Sequence, residues 1–547
     1  MAWTQFISRM SIWTVLLPVL SFASSSPTNV VDLGYAKYLG NLSYPNTVAY
    51  LGIPYAEPPL GERRFRAPLP LDTARIARES RGEVVNASIY PNFCVQGSTG
   101  SGEAGGAGSE DCLKINVYAP AGAKPGDQLP VLVYIHGGGH TGYVYGNPAN
   151  WPFDHWIQQS PNVVIVSVYY RLDSFGFLAV PELSNPAVGD LNAGFQDQIQ
   201  ALRWVQQHIH AFGGDPGKVT INGESAGGSS VELHLVAHEG KKLFSQAIAQ
   251  SVYRTPVPTP EQQRPLFNYY AAQAGCGTSS QTVASRLACL RKASVSALAR
   301  AQDAAMYNFT GAYNSFHPVI DGKILTEIPS LSILKGNFAD VPVIVGSTSN
   351  ETLSGGANIT SALQAFFPGL TSQDLTEYLE HYPASDFESD EQRFMVTTGE
   401  SELICARAII GLAAARKSEA YTYRYNQPVP TANTDVVFHA SENWMMFRGT
   451  STGFNGTTTF QPQRPIDEAF ASELIAYWLS FVRSGNPNTH KLARSPVWPE
   501  YTPGRRSRIS LQEGNSTQVS GSTIELEPRA ESNRCAFVAS KVQHQQA

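Results

Sequence analysis

Val219-Thr-Ile-Asn-Gly-Glu-Ser-Ala-Gly-Gly228 is the stretch that decides how this 547-residue chain is read. Val219, Thr220 and Ile221 read as the end of a buried strand, and Gly223-Glu224-Ser225-Ala226-Gly227 fits G-x-S-x-G, a sharp strand-to-helix turn. Such a turn lifts one hydroxyl above the edge of a sheet, where a base can reach it. Its glycines keep side chains out of a close backbone crossing. The helix that follows points its first N–H groups toward the place where an oxyanion would form. G-x-S-x-G also occurs in ordinary Ser/Gly loops, so its meaning depends on what else the chain carries.

A second glycine run stands upstream. Pro130-Val-Leu-Val-Tyr-Ile135 is a continuous apolar run, expected to be a buried strand, and it ends in His136-Gly-Gly-Gly139. Three glycines let the backbone turn its N–H groups inward. The N–H groups of Gly138, Gly139 and Ala226 are therefore the expected three-donor oxyanion hole. Val163-Val-Ile-Val-Ser-Val168 is a further core strand. Apolar runs alternate with longer amphipathic stretches through most of the chain, the pattern of a sheet covered by helices. No internal repeat and no long linker appears, and residues 24–547 are expected to form one catalytic domain.

Composition narrows the function classes. The chain is 42% hydrophobic and 15% charged, with a net charge of -6 and no basic run, which argues against a nucleic-acid surface. Its 12 histidines form no H-E-x-x-H, and no paired Cys-x-x-Cys occurs, so no metal site is expected and no cofactor is implied. Residues 1–23 read as a secretory signal: Arg9 supplies the positive charge, Ile12 to Phe22 the apolar core, and Ser21-Phe22-Ala23 the cleavage region. A retained N-terminal anchor is the alternative. The polar tail, Cys535 to Ala547, suits neither a membrane anchor nor lipid attachment. A secreted, extracellular protein without a stable membrane anchor is expected.

Six cysteines, at 94, 112, 276, 289, 405 and 535, agree with export, though the count alone permits fifteen connectivities. Cys94 with Cys112 and Cys276 with Cys289 would each close a short surface loop. Cys405 and Cys535 remain, as a third pair or as two free thiols. Asn41, Asn86, Asn308, Asn358, Asn455 and Asn515 stand in N-x-S/T sequons and are glycosylation candidates. Asn350 also stands in one, but beside Glu351 it is expected to be bare.

The longer string Phe212-Gly-Gly-Asp-Pro-Gly-Lys-Val-Thr-Ile-Asn-Gly-Glu-Ser-Ala-Gly227 resembles the serine signature of the type-B carboxylesterase and cholinesterase-like family. Other stretches carry the same resemblance: Leu51-Gly-Ile-Pro-Tyr-Ala-Glu-Pro-Pro-Leu60, Glu110-Asp-Cys-Leu-Lys-Ile-Asn-Val-Tyr-Ala-Pro120, Tyr170-Arg-Leu-Asp-Ser-Phe-Gly-Phe-Leu178, Phe316-His-Pro-Val-Ile-Asp-Gly322 and Gly485-Asn-Pro-Asn488. Together they cover nearly all of the chain after the signal. The style is most like fungal secreted carboxylesterases.

That resemblance implies an α/β-hydrolase fold, a central, mostly parallel mixed sheet wrapped by helices. It implies a Ser225, Glu351, His439 triad that splits a small-molecule ester through an acyl-enzyme. Glu351 matches the family's G-x-x-x-x-E from Gly346, and His439 with Glu442 its H-x-x-E context. Ser251 falls where the family has a serine that helps to hold the acid. By the same resemblance Cys94 and Cys112 are bonded, Arg64 pairs with Glu110 and Arg171 with Asp197, and His208 is structural. In cholinesterases the loop between the first two cysteines carries a tryptophan that stacks on choline, and in related fungal lipases it is a long apolar flap. Here Val95 to Asp111 holds no aromatic residue and almost no apolar surface, which disfavours both a choline site and a lipase lid. His140 stands where the family usually has an aromatic, either as a polar group of the pocket or as a packed loop histidine. A carboxylesterase leads over a triacylglycerol lipase, an acyl-transfer enzyme of specialised metabolism and a non-catalytic binding relative.

Overall fold

Strands whose two faces are both covered should be largely apolar, and the fully buried runs Val131–Ile135 and Val163–Val166 at the middle of this protein are. The computed structural model describes residue 1 and residues 29–96, 108–138, 146–238, 242–452 and 458–547. The expected signal, most of the loop between Cys94 and Cys112, Gly139, His140 and Asn455 lie outside the described residues. In chain order the strands are β1 Val30–Asp32, β2 Lys37–Tyr44, β3 Thr47–Pro54, β4 Val84–Ala87, β5 Lys114–Pro120, β6 Leu129–Ile135, β7 Val164–Val168, β8 Gly214–Glu224, β9 Gln246–Gln250, β10 Val343–Thr348, β11 Ala420–Tyr425, β12 Thr450–Thr452, β13 Thr458–Phe460, β14 Ser507–Leu511 and β15 Thr523–Leu526.

Among the described residues 13 of these build one sheet in the order β1-β2-β3-β5-β7-β6-β8-β9-β10-β11-β14-β15, with β4 beside β2. The run from β7 to β14 is parallel, and antiparallel strands flank it on both sides. This is the mostly parallel mixed sheet of the α/β-hydrolase fold. β12 and β13 form a separate hairpin.

The strand period sorts the core into two layers. Val133, Val166, Ile221, Ala249 and Val345 pack on one face with Trp204 of the helix Ala193–His208. Their neighbours Leu132, Ile165, Ile248 and Ile344 pack on the other with Trp478 of the helix Pro465–Ser484. β10 runs from Val343 to Thr348, and its polar end is held in the sheet because Ser347 and Thr348 pair with Arg424 and Tyr425 of β11.

The cysteines pair as Cys94–Cys112, Cys276–Cys289 and Cys405–Cys535, so none is free. The first two close short loops, and the third ties the helix Arg529–Ser540 to the helix Cys405–Ala414. Both expected ion pairs form as two-point contacts: Arg64 to Glu110 at 2.6 and 2.7 Å, and the buried Arg171 to Asp197 at 2.7 Å on each oxygen. Half-buried His208 packs between Tyr35 and Trp204 as a structural residue.

Candidate active site

Parallel strands deliver their following loops to one edge of a sheet, and four of them meet here. β8 leads into Ser225, β6 into His136-Gly137-Gly138, β10 into Glu351, and β11 into the loop that carries His439. Ser225 sits between β8 and the helix Ala226–Val236 with φ 58° and ψ -122°, a strained conformation for a side-chain-bearing residue. Its N–H donates to the Gln250 carbonyl at 3.0 Å and its carbonyl accepts from Ser229 N–H at 2.9 Å, which holds the turn from both sides. The crossing is too tight for side chains on its glycines. A Cβ on Gly223 would come within 2.3 Å of the Gly227 carbonyl oxygen, and one on Gly227 within 2.1 Å of the Ile135 oxygen.

Residues far apart in sequence then join in one hydrogen-bonded chain. His439 Nε2 lies 2.8 Å from Ser225 Oγ, and His439 Nδ1 lies 2.7 Å from Glu351 Oε2. A carboxylate only accepts, so Nδ1 carries a proton, and in the neutral ring Nε2 faces the serine with a lone pair. Glu351 is fully buried, and its other oxygen accepts the Ser251 hydroxyl and, at 2.8 Å, the Thr348 N–H. Burial would push Glu351 up, but the His439 imidazole together with these donors holds its carboxyl below its ordinary range. Asn350 closes the arrangement: its N–H donates to the Val437 carbonyl at 3.1 Å and its Oδ1 accepts the Val437 N–H at 3.0 Å. It is half-buried in this bridge, whereas Asn86, Asn308, Asn358 and Asn515 are exposed and Asn41 is half-buried.

Two further carboxyls crowd His439. Glu224 Oε1 lies 3.4 Å from His439 Nε2, and Glu224 Oε2 accepts the Asn443 amide at 2.8 Å. Glu442 is 1% exposed, with a long contact of 3.4 Å from the Tyr423 hydroxyl and, among the described residues, no hydrogen-bond partner on Oε2. Burial pushes Glu224 up to about 7 against the pull of His439. Burial and then the Glu224 charge push Glu442 up to about 8. Burial would pull His439 down, yet the charges of Glu351 and then Glu224 outweigh it and push the imidazole up to about 9. Sequence reading used Glu442 only as context and gave Glu224 no part. The one signal was position, since Glu224 precedes the strained serine and sits at the end of a buried strand.

Ser225, His439 and Glu224 line a cavity of about 590 Å³ with Gly137, Gly138, Trp151, Phe438 and Trp444 on its walls. Gly138, at φ 143°, lines this cavity together with Ser225, and Ala226, which follows Ser225, is the first residue of its helix. The third expected donor, Gly139, is outside the described residues. A larger open groove, about 760 Å³, lies at the opposite edge of the sheet against the starts of β9 and β11, and contains none of these residues. No cluster of metal-binding side chains occurs among the described residues.

The sequence model described as "Carboxylesterase family" matches residues 28–538. The chain belongs to the carboxylesterase family. Among family members, it is 32% identical over 539 residues to "Secreted lipase 4" of Gibberella zeae, covering 91% of this chain and 92% of that protein. It is 29% identical to the acetylcholinesterase of Bungarus fasciatus, over 89% of this chain and 82% of that one. Among solved structures, EstA of Aspergillus niger superposes with a TM-score of 0.81 at 30% identity, covering 95% of this chain and 99% of its own. With relatives and structural neighbours that are esterases along almost its whole length, this carboxylesterase-family member is a carboxylic ester hydrolase.

Proposed function

We propose that the protein is a secreted serine carboxylesterase that works through an acyl-enzyme on Ser225. The observation that carries this reading is the Glu351–His439–Ser225 hydrogen-bonded chain, ending on a serine held in a strained turn. Ser225 Oγ attacks the ester carbonyl as its proton passes to His439 Nε2. Glu351 keeps the proton on Nδ1 and steadies the imidazolium that forms. The N–H groups of Gly138, Gly139 and Ala226 receive the oxyanion, each donor contributing about 2.7–4 kcal/mol in comparable enzymes. His439 Nε2–H then protonates the leaving alcohol. Water repeats the sequence on the acyl-enzyme, releasing the acid and restoring Ser225.

Three disulfides suit an oxidising compartment, and one relative is itself named a secreted lipase. Among the described residues no helix is long and apolar enough to cross a membrane. The polar loop between Cys94 and Cys112 favours dissolved esters over emulsified triacylglycerol. Hydrolysis of p-nitrophenyl esters of increasing chain length, wild type against Ser225→Ala, tests this. Cleavage of short esters by wild type alone is the expected result. A rate that climbs steeply above the micelle point of a long ester would favour a lipase, and equal cleavage by the variant would remove Ser225 from the mechanism.

A further inference from the structure

Residues 351–355, which carry Glu351, lie in neither helix nor strand, so no ladder fixes them. Yet Glu351 Oε2 must be held to within about 0.5 Å to keep its hydrogen bond to His439 Nδ1 in a productive geometry. A bed of residues under this loop does the holding. Gly399, at the end of the helix Asp390–Gly399, passes so close that the Glu351 carbonyl oxygen occupies the place of a Cβ. The hydroxyls of Thr398 and Thr352 lie 2.8 Å apart. Glu402 completes the bed. Its Oε2 accepts the Leu353 N–H at 2.8 Å and the Ser354 N–H at 3.2 Å, and its Oε1 accepts the Ser354 hydroxyl.

Glu402 belongs to a local irregularity. Between the helices Asp390–Gly399 and Cys405–Ala414 the chain makes one π-helical turn, Glu400–Ile404, a feature that recurs at functional sites. The backbone of this turn reaches a second loop. The Ser401 carbonyl accepts Arg254 Nη1–H at 2.7 Å, and the Glu402 carbonyl accepts the Arg254 N–H at 2.9 Å. Arg254 follows closely on Ser251, whose hydroxyl donates to Glu351. One turn therefore fastens two loops that meet at Glu351, the first through the Glu402 side chain and the second through carbonyls.

Glu402 is fully buried, and among the described residues no cation pairs with it. Burial pushes its carboxyl up to about 7 against the pull of the Ser354 and Leu353 donors. A buried carboxyl without a counter-charge is a costly way to hold a fold, so its hydrogen bonds to the loop are what it supplies.

We propose that Glu402 is a positioning residue for ester hydrolysis: by holding Leu353 and Ser354 it keeps Glu351 in reach of His439. This rests on the reading of Ser225, His439 and Glu351 as the triad.

The test measures kcat and KM for p-nitrophenyl acetate, with the melting temperature as the check on folding. Glu402→Ala, which cuts every side-chain contact to the loop, should lower kcat about ten- to a hundredfold and leave KM within about twofold of wild type. Glu402→Gln keeps the reach and an acceptor oxygen, and should retain most of kcat. Glu402→Asp keeps a carboxyl but falls a methylene short, and should lose nearly as much as Glu402→Ala. The reverse ranking, or wild-type kcat in folded Glu402→Ala, would overturn the assignment. Glu402→Ala added to Glu351→Gln separates positioning from general loosening. With no carboxylate left to position, it should cost less than about twofold more, whereas two losses that multiply in full would overturn the assignment. If Glu402→Ala does not fold, Ser354→Ala replaces it; a fall in kcat of about threefold is expected, and an unchanged kcat would contradict the proposal. Wild type inactive on this ester, or Glu351→Gln as active as wild type, would overturn the triad reading itself. Active wild type with unchanged, folded Glu402 variants overturns only the role of Glu402.

Discussion

Two groups of carboxyls in this protein, one fully buried beside Ser225 and one buried to half-buried near the C-terminus, behave in opposite ways. Beside Ser225, Glu224 and Glu442 are pushed up to about 7 and about 8. At the C-terminal strut, Glu525 and Glu527 are held down at about 2. The difference lies in their neighbours. Each strut carboxylate meets guanidinium groups: Arg407 to Glu527 at 2.7 Å and to Glu531, Arg508 to Glu525 at 2.6 Å and to Glu531 at 2.7 Å, and Arg424 to Glu525 at 2.6 Å. Around His439 three carboxyls share one imidazole, and among the described residues two of their oxygens have no hydrogen-bond partner. Burial therefore sets the scale of a shift, and the available partners set its direction. The strut has counter-charges and is a fastening, next to Cys405–Cys535. The site lacks them and keeps protons that can move.

Mutations should separate the two regions by what they damage. Ser225→Ala should lower kcat by a factor on the order of a million with the melting temperature unchanged. Glu351→Gln should cost about ten-thousandfold, because the imidazole loses the partner that fixes its tautomer. At the strut the loss should be in stability instead. Arg407→Met leaves Glu527 and Glu531 buried without their shared cation, and urea unfolding should show a loss of about 3–5 kcal/mol while the folded fraction keeps its kcat/KM. A loss of activity larger than the loss of folded protein would show that the regions are coupled.

The finer distinction is in pH. The strut carboxylates have folded values below the 4.5 of the unfolded chain, so their contribution is present above 4.5 and fades as pH falls through about 2. Glu224 and Glu442 have folded values above 4.5, so their protonated forms favour the fold at low pH and that contribution is lost as pH rises through about 7 and 8. Glu442→Gln should flatten the fall in stability on the alkaline side and leave the acid side as in wild type. Glu224→Gln addresses the base. An anionic Glu224 stabilises imidazolium, so removing it should move the rising limb of the kcat/KM profile to lower pH, and a limb that stays in place would show that Glu224 carries no charge at the working pH.

Much of this was legible in the sequence, for a physical reason. Gly223, Ser225 and Gly227 are consecutive enough to encode a turn by themselves, and the apolar runs of β6 and β7 announce strands covered on both faces. Glu351 and His439 were readable only through resemblance, since an acid and a histidine on loops carry no local signal. The shifts at Glu224 and Glu442 were not readable. They arise because segments 218 residues apart in sequence are brought to one enclosure. Asn350 shows the same limit from another side: its place beside Glu351 argues against a glycan, but its hydrogen bonds to Val437 exist only once the loops carrying Glu351 and His439 meet.

The central claim is that Ser225 is the nucleophile, and covalent trapping tests it most directly. Wild-type protein treated with an aryl phosphonate ester, digested and analysed by mass spectrometry, should carry the phosphonyl group on the peptide containing Ser225, with activity lost in proportion to labelling. His439→Ala should label far more slowly, and Ser225→Ala not at all. Label on another residue, or full activity with Ser225 fully modified, would contradict the account.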